Sequence, residues 1–555
     1  MPKPKKNPPS RSNWDSEVRL LLWLATCVSV FSFLFYFRNG DVLLYGDAVA
    51  HINIARRVFD SKTPGLLQLG TVWLPLPHLL MIPFLLSTEM WKRGVGGSIP
   101  SMAAYVMGVV GIFRLVRGSL SRGVELDGAA HIAAWTAAVV YAANPNLIYM
   151  QATAMGESLY LAFFIWAVVY FEESARGGAK SFLKCGGCLA AACLTRYDGW
   201  FLAVVTAGAV VVFNEVRGRV FKGDLLYSRA TVFKFVLIAA SAPALWLAYN
   251  GIIYHNPLEF ANGPYSAKAI ERRTQSGGNP GHPGSGNLVL SERYFLKSAE
   301  GNVANGEWLG RAWILVLVGA SGIMLVHRFR RNNRGTDVSW TPALLLTPLA
   351  FYAISVAYSG VPIFIPPWWP FSHYNVRYGL QMLPAFAVAF ALLIYLLVDR
   401  ASWSGRVRLA CGAAIFGLVL ASYASVWMAG PICLREAQIN MGGRNALETQ
   451  LAGWLSKLPP DSTLLMYLGD HVGALQQAGV PLKRVINEGN HRVWMQPIDQ
   501  DGLWERALAN PAEYADYVIA FDGDAVSQAV RERHLRPLVE FHVTGQAAAI
   551  LYRAR

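Results

Sequence analysis

The stretch TVWLPLPHLLMIPFLLSTEMW, residues 71–91, decides how the whole chain is threaded. It is apolar and close to the ~20 residues that a bilayer crossing needs, yet Pro75, Pro77 and Pro83 interrupt it. Proline removes a backbone donor and breaks a helix, and in lipid no water replaces the lost bond. Loop charge decides its reading. Apolar runs recur at 18–37, 100–117, 129–143, 157–171, 181–195, 198–213, 231–253, 311–327, 340–358, 376–398 and 408–430. If 71–91 does not cross, the loops 118–128, 172–180, 214–230, 328–339 and 399–407 share one side. They carry Arg122; Arg176 and Lys180; Arg217, Arg219, Lys222 and Arg229; Arg328, Arg330, Arg331 and Arg334; and Arg400 and Arg406. Every such loop is then positive and inside; if 71–91 crosses, all of them face outward. The sequence therefore predicts about 11 spans, a cytoplasmic N-terminus, and 71–91 lying at the outer interface or re-entering. Several runs are short for a span, which flanking polar residues or local thinning can accommodate.

Composition agrees. The chain has 555 residues, 54% hydrophobic and 15% charged, against about 25% charged in soluble proteins. That excludes a disordered chain and argues against a purely soluble one. The net charge of +14 would suggest nucleic acid in a soluble protein. Here it reads as topology-setting charge, with membrane lipids and no nucleic acid as partners. Eighteen Trp, 23 Tyr and 27 Phe suit an interfacial aromatic belt. Six Cys are too few to staple the chain, and they read as reduced, buried small hydrophobes. Cys185 and Cys188 form C-x-x-C inside an apolar run, without the further ligands or exposed thiolate that a metal or redox site needs. The basic, Pro-rich start is followed by an apolar run without a small-x-small cleavage site, so that run reads as an uncleaved first span.

The expected organisation is a cytoplasmic basic segment 1–17, a transmembrane domain 18–432 with outer loops 38–99 and 254–310, and an extracytoplasmic α/β domain 435–555. In the last, LLMYL and YVIAF read as strands alternating with helical patterns. No Gly-rich phosphate fingerprint follows them. Asp470 and His471 come just after a strand, which suits either a site or a capped turn.

The residues that could carry chemistry cluster at predicted outer span ends. Asp47 and His51, four apart, share a helix face just after the first span. Asp47 reads as a general base or metal ligand near the surface, or as the N-cap of AVAHINIARRVF. Glu157 opens a span; it is either functional or favoured by the helix dipole. Arg196 suits a phosphate, or pairs with Asp198 across the turn LTRYDGW. Arg377, in SHYNVRYGLQMLP with Tyr374, has the same two readings, with interface snorkelling as its bland form. His78, between prolines, reads as a packed histidine or a substrate contact. Arg56 and Arg57 read as surface charges near headgroups. Carboxylates and arginines around an outward cavity suit a substrate with a phosphate at the surface and a lipid tail in the bilayer.

At these residues the chain resembles the GT-C-type glycosyltransferases that use polyprenyl-phosphate-linked sugars, and among them the protein O-mannosyltransferases and lipid A aminoarabinose transferases (glycosyltransferase family 39-like). That family places an acid in the first outer loop, matched by Asp47 in YGDAVAHINIARRVF, then a Pro-rich interfacial segment, matched by VWLPLPHLLMIPF. ANPNLIYMQATAMGESL matches its N/S-P and T-x-x-(D/E) stretch and carries Glu157. LTRYDGW and RYGLQMLP match its L-T-(K/R) turn and its R-Y-x-x-x-x-L-P span. The likeness covers roughly 15–430. It departs where the family often has two adjacent acids, here Asp47 alone. It departs again where the aminoarabinose transferases carry a Lys before the Pro pair, here Trp73 and Leu74. NPLEFANGPYSAKAIE has no counterpart in either group.

The resemblance implies a polytopic α-helical membrane fold and inverting sugar transfer at the extracytoplasmic face of a membrane, a bacterial inner membrane in the family's manner. The donor would be a polyprenyl-phosphate sugar and the acceptor a protein, lipid or glycan. It implies Asp47 as base, Arg196 or Arg377 on the donor phosphate, and Glu157 orienting the acceptor or a divalent ion. His51, His78 and Tyr374 join the substrate-binding candidates. A divalent metal is the one cofactor left open, with Asp47, Glu157 and His51 as candidate ligands. A transporter or flippase of lipid-linked saccharides is the alternative, but the sequence has no repeat halves and its ionisable residues sit at span ends. A membrane scaffold leaves the first-loop acid without a role beyond a cap.

Overall fold

The computed structural model describes residues 14–120, 128–175, 179–219, 227–276, 281–329, 341–399, 404–491, 500–531, 533 and 535–555. The basic tail at 1–13 and the loop cations Arg122, Arg176, Lys222, Arg330, Arg331, Arg334 and Arg400 lie outside these residues.

Each of the 11 apolar runs is helical: Trp14–Asn39, Val95–Leu120, Gly128–Ala142, Glu157–Ser174, Ala179–Cys193, Asp198–Arg219, Arg229–Tyr254, Glu307–Phe329, Thr347–Tyr358, Leu383–Asp399 and Gly405–Ala429. Among the described residues, seven helical stretches are long and apolar enough to cross a membrane. Gly128–Ala142 and Ala179–Cys193 have 15 residues each. That is about 22 Å of helix, short of the ~30 Å hydrocarbon core. The chain is an integral membrane protein with Val95–Leu120 and Val376–Val398 at its centre, where 67% and 72% of the most apolar 18-residue windows are buried, against 22% in Arg229–Tyr254. Small residues allow that centre to close. A Cβ at Gly108 would stand 2.5 Å from the Tyr141 hydroxyl, and one at Gly111 would stand 2.8 Å from Ile165, the close approach that membrane helices use for packing.

The segment 71–91 does not form one long helix. It forms Leu76–Leu85, with Pro83 inside, then Thr88–Lys92 with the Ser87 hydroxyl as cap. Ten residues rise only about 15 Å. Its two faces explain its place. His78, Met81 and Leu85 are buried, while Leu79, Leu80 and Leu86 are exposed, an outward apolar face suited to lying at an interface.

Arg56 and Arg57 are not surface charges. Arg56 is 6% exposed; it pairs with Asp60 at 2.7 Å, lies 4.9 Å over the Trp91 ring and donates to the Leu85 carbonyl. Arg57 reaches Glu488 at 3.8 Å. The segment after the first helix thus packs inward, so its cations are held by carboxylates and rings. Breaking a buried pair by removing one partner costs about 3–5 kcal/mol. Arg56→Ala is therefore expected to lower stability by that order, read as an earlier thermal midpoint in detergent, while Arg93→Ala, whose pair with Glu89 is mostly exposed, leaves it within about 0.5 kcal/mol.

The C-terminal region holds a five-stranded sheet of β1 (Leu464–Met466), β2 (Val485–Ile486), β3 (Tyr517–Phe521), β4 (Arg536–Phe541) and β5 (Ala549–Arg553), ordered β2-β1-β3-β5-β4. β1 pairs in parallel with β2 and β3, as the two apolar strand patterns suggest. β5 adds antiparallel to β3 and β4; this hairpin has no counterpart in the sequence reading, because β4 is exposed along most of its length and lacks apolar alternation. His471 after β1 stacks on Phe521 at 4.4 Å. The sheet region rests on the loop after the first helix. Asn53 donates to Gln476 at 2.7 Å, Gln476 donates to the Trp91 carbonyl at 2.8 Å, and Asn490 reaches Ser61 and Thr63.

Glu448, in the Arg444–Leu455 helix, sits in this junction with Arg444 at 3.3 Å. Burial, only partly offset by Arg444, pushes its carboxyl up to about 7. Between about 4.5 and 7 the folded state then holds a proton that the unfolded chain has lost. Stability from this group is full at the acid end of that window and is lost as pH rises through it, by up to about 3 kcal/mol. Glu448→Gln is expected to flatten that slope in thermal melts taken between pH 4.5 and 7.5; an unchanged slope contradicts it.

Candidate functional site

Five segments that are far apart in sequence meet around Arg377. Its position is built by the backbone before it. Asn375 takes a left-handed conformation, φ 56°, and turns the chain into the tight helix Val376–Met382. The Val376 carbonyl accepts from Ser298 at 2.7 Å and Asn302 at 2.6 Å. Gly379 lets this turn press on the neighbouring backbone, since a Cβ there would stand 2.4 Å from Ser298.

The guanidinium so placed serves three carboxylates at once. Nη2 donates to Asp47 at 2.7 Å, Nε to Glu157 at 3.1 Å and Nη1 to Glu436 at 2.7 Å. Glu157 Oε1 also accepts from Arg196 Nη1 at 3.0 Å. Arg196 in turn lies 3.4 Å from Asp198 and donates to the Tyr352 hydroxyl at 3.0 Å, which donates to Asp198 at 2.6 Å. The Tyr378 ring lies under both cations, 4.8 Å from Arg196 and 5.3 Å from Arg377. Exposure is graded. The Asp47 side chain is 41% exposed and that of Arg196 17%, against 9% for Arg377 and 1% each for Glu157 and Glu436. The cluster is a buried ion network with Asp47 at its mouth. Glu157 Oε2, buried, has no partner among the described residues. A carboxylate oxygen left this way is costly to bury.

Asp47, Glu157, Arg196 and Arg377, singled out from the sequence, are thus in one network. Asp47 is not a helix cap. The helix runs Gly46–Arg57 with Tyr45 at the cap position, and no side chain closes it; Arg377 takes the Asp47 carboxylate instead. Arg377 does not snorkel, since three buried or half-buried acids hold it. His51 lies behind, its Nδ1 2.8 Å from His78 Nε2 and its ring against Trp73. Burial holds the His51 imidazole below its usual range against the pull of Asp47 and Glu157. His78 is 0% exposed, so it supports His51 and does not face the cluster. Tyr374 is half exposed, paired through its backbone with Phe364 and within electrostatic reach of Asp47 and Arg377.

The metal candidates do not assemble. Among the described residues no three His, Cys, Asp or Glu side chains gather to hold an ion. Asp47 and Glu157 are taken by guanidinium groups and His51 by His78, so this arrangement does not fit a divalent metal. Glu436, Asp198 and Tyr352 were absent from the sequence candidates. Glu436 follows the last span within PICLREAQ, an acid next to apolar sequence, and that was the available signal. Asp198 was read only as the partner of Arg196.

No family model matches the sequence, and no curated protein is significantly similar to it. Solved structures are similar in fold. ArnT from Cupriavidus metallidurans bound to undecaprenyl phosphate matches with a TM-score of 0.57 at 12% identity, over 97% of this chain and 98% of that one. The same protein in its apo state matches with a TM-score of 0.53 at 13% identity, over 98% and 99%. The Saccharomyces cerevisiae protein O-mannosyltransferase Pmt1–Pmt2 complex bound to the sugar donor matches at 18% identity with a TM-score of 0.30, over 42% of this chain and 33% of that one, too slight to carry an argument. The ArnT matches run end to end, through both the helical region and the C-terminal sheet, and the chain therefore has the GT-C-type membrane fold.

Proposed function

We propose that the protein is an integral-membrane glycosyltransferase that moves a sugar from a polyprenyl-phosphate-linked donor to an acceptor hydroxyl, with inversion at the anomeric carbon. The observation that carries this reading is Arg377 held between Asp47 and Glu157 with Arg196 beside it. The fold supports it, since the ArnT structure that shares it is bound to undecaprenyl phosphate. The positive loops of the sequence support a site on the extracytoplasmic side, and the reading takes the membrane to be a bacterial inner membrane.

The chemistry follows from the network. In the resting site each guanidinium is neutralised by carboxylates. A donor phosphate entering at the exposed mouth competes with Asp47 for Arg377 Nη2, because phosphate and carboxylate bind the same planar donor. That exchange releases Asp47 next to the bound donor. Asp47 then takes the proton of the acceptor O–H as general base. The acceptor oxygen bonds to the anomeric carbon, and the bond from that carbon to the phosphate oxygen breaks. The electron pair stays on the leaving polyprenyl phosphate, and Arg377 and Arg196 stabilise its growing charge. The unpartnered Glu157 Oε2 accepts from a hydroxyl of the sugar or the acceptor. His51, braced by His78 and Trp73, shapes the wall beside Asp47. No step passes through a metal.

The test is transfer by purified protein in lipid nanodiscs, using radiolabelled polyprenyl-phosphate sugars with a crude membrane extract as acceptor. Label moving from lipid to an acceptor is the expected result. Release from none of a panel of hexose, hexosamine and pentose donors overturns the reading.

A further inference from the structure

The segment that follows the last span grips both halves of the Asp47–Arg377 pair. Its first helix, Ile432–Met441, carries Glu436, which is 0% exposed. Glu436 Oε1 accepts from the Asn375 N–H at 3.0 Å and from Arg377 Nη1 at 2.7 Å, and Oε2 accepts from the Val376 N–H at 2.8 Å. One carboxylate therefore holds the left-handed turn at Asn375 and one branch of the guanidinium that this turn projects. Three residues earlier, the Cys433 carbonyl accepts from the Tyr45 hydroxyl at 2.8 Å, and the Cys433 N–H donates to Asn146 at 2.9 Å. The next helix, Arg444–Leu455, begins with Arg444, which donates to the Leu44 carbonyl at 3.0 Å. Leu44 and Tyr45 lead directly into Asp47.

From this geometry we infer that Glu436 is a positioning residue for Arg377, and that the 432–444 segment sets the separation of Asp47 and Arg377 by holding the backbone on both sides of the pair. The inference rests on the proposed transfer reaction. The physical argument is one of constraint. A long guanidinium side chain has many rotamers, and three acceptors fix it in one. Asp47 is at the mouth, half exposed, and is the partner that the donor phosphate displaces. Glu436 is buried and stays. After the exchange Glu436 on Nη1 and Glu157 on Nε keep Nη2 aimed at the phosphate, and of the two only Glu436 also holds the backbone turn from which Arg377 projects. A carboxylate that also accepts two backbone N–H groups cannot swing away without leaving them unpaired. Glu436 also adds negative charge beside the phosphate, so its neutralisation strengthens donor binding while loosening the aim of Arg377. Displacement of a catalytic group by about 1 Å is enough for a hundredfold loss.

A double-mutant cycle of Glu436→Gln and Arg377→Lys tests this, with both transfer kinetics and stabilisation by undecaprenyl phosphate as readouts. Expected for Glu436→Gln alone is a fall in kcat per folded molecule of about 10- to 100-fold, without a rise in donor KM. In the Arg377→Lys background the same change is expected to cost less than about twofold, since residues acting as a unit are not additive. Glu436→Asp, which keeps the charge on a shorter arm, is expected to fall between and covers the case in which the Gln variant does not fold. Losses that add across the cycle overturn the inference, as does a variant with normal kcat and only a lower thermal midpoint. Both results require wild-type transfer. If wild type transfers from no donor, the reaction reading fails, and the undecaprenyl phosphate cycle alone then decides the positioning role: a change in its stabilisation on Glu436→Gln that vanishes in the Arg377→Lys background supports it, and an equal change in both backgrounds overturns it.

Discussion

Asp47→Asn is expected to lower kcat by about 10²–10⁴-fold, the range for removing a positioned general base, while donor KM stays constant or falls. The second half of that statement is the more specific. Asp47 is the base and also the resting partner of Arg377, at 2.7 Å. Asn keeps the shape and removes the charge that competes with the donor phosphate. A residue that only bound substrate would raise KM when lost. A stabilising ion pair would lower the yield of folded protein, but Asp47 is 41% exposed, and pairs of that kind contribute little to stability. Initial rates over a range of donor concentrations, on protein normalised by folded fraction, check both parts. Transfer at the wild-type rate removes Asp47 from the base role.

Arg377→Lys is expected to lower kcat/KM by about 10²–10³-fold, the effect of losing one preorganised donor to a developing anion. Lysine keeps the charge and loses the fork. An ammonium group cannot span Asp47, Glu157 and Glu436 as the guanidinium does from three separate nitrogens. The fold is expected to survive, because a cation remains near two buried acids. Arg377→Ala is a different experiment: it leaves the buried Glu436 without its cation and Glu157 with Arg196 alone, and about 3–5 kcal/mol of stability is lost. Arg196→Lys is expected to be milder. Its side chain is 17% exposed, and of the three carboxylates on Arg377 it shares only Glu157. If Arg377→Lys and Arg196→Lys lose equal activity, the assignment of Arg377 as the central phosphate contact is wrong.

The helices were legible because bilayer physics writes them in the sequence as long apolar runs, and the prolines in 71–91 marked a stretch that forms no single long helix. Glu157 and Arg377 were legible for the same reason, since each stands at the end of an apolar run where charge is costly, and Asp47 was legible as an acid on the helix that follows the first span. What the sequence hid depends on burial that only tertiary packing creates. Arg56 looks like a headgroup contact until Asp60 and Trp91 close over it. His78 looks able to reach a ligand until the Leu76–Leu85 helix turns it inward to His51. Glu436 was the most consequential omission. It follows the last span at a point that reads as a linker between the helical region and the C-terminal strands, and nothing local to PICLREAQ reveals that Asn375 and Val376 point their N–H groups at it. The β4–β5 hairpin was hidden because β4, the edge strand, is mostly exposed and carries no hydrophobic alternation.

The most direct test of the central claim is the structure of the protein with undecaprenyl phosphate bound. The exchange account predicts the phosphate on Arg377 Nη2, with Asp47 released from its 2.7 Å contact toward the open mouth and Glu436 still on Nη1. A phosphate bound elsewhere with the Asp47–Arg377 pair intact would contradict it.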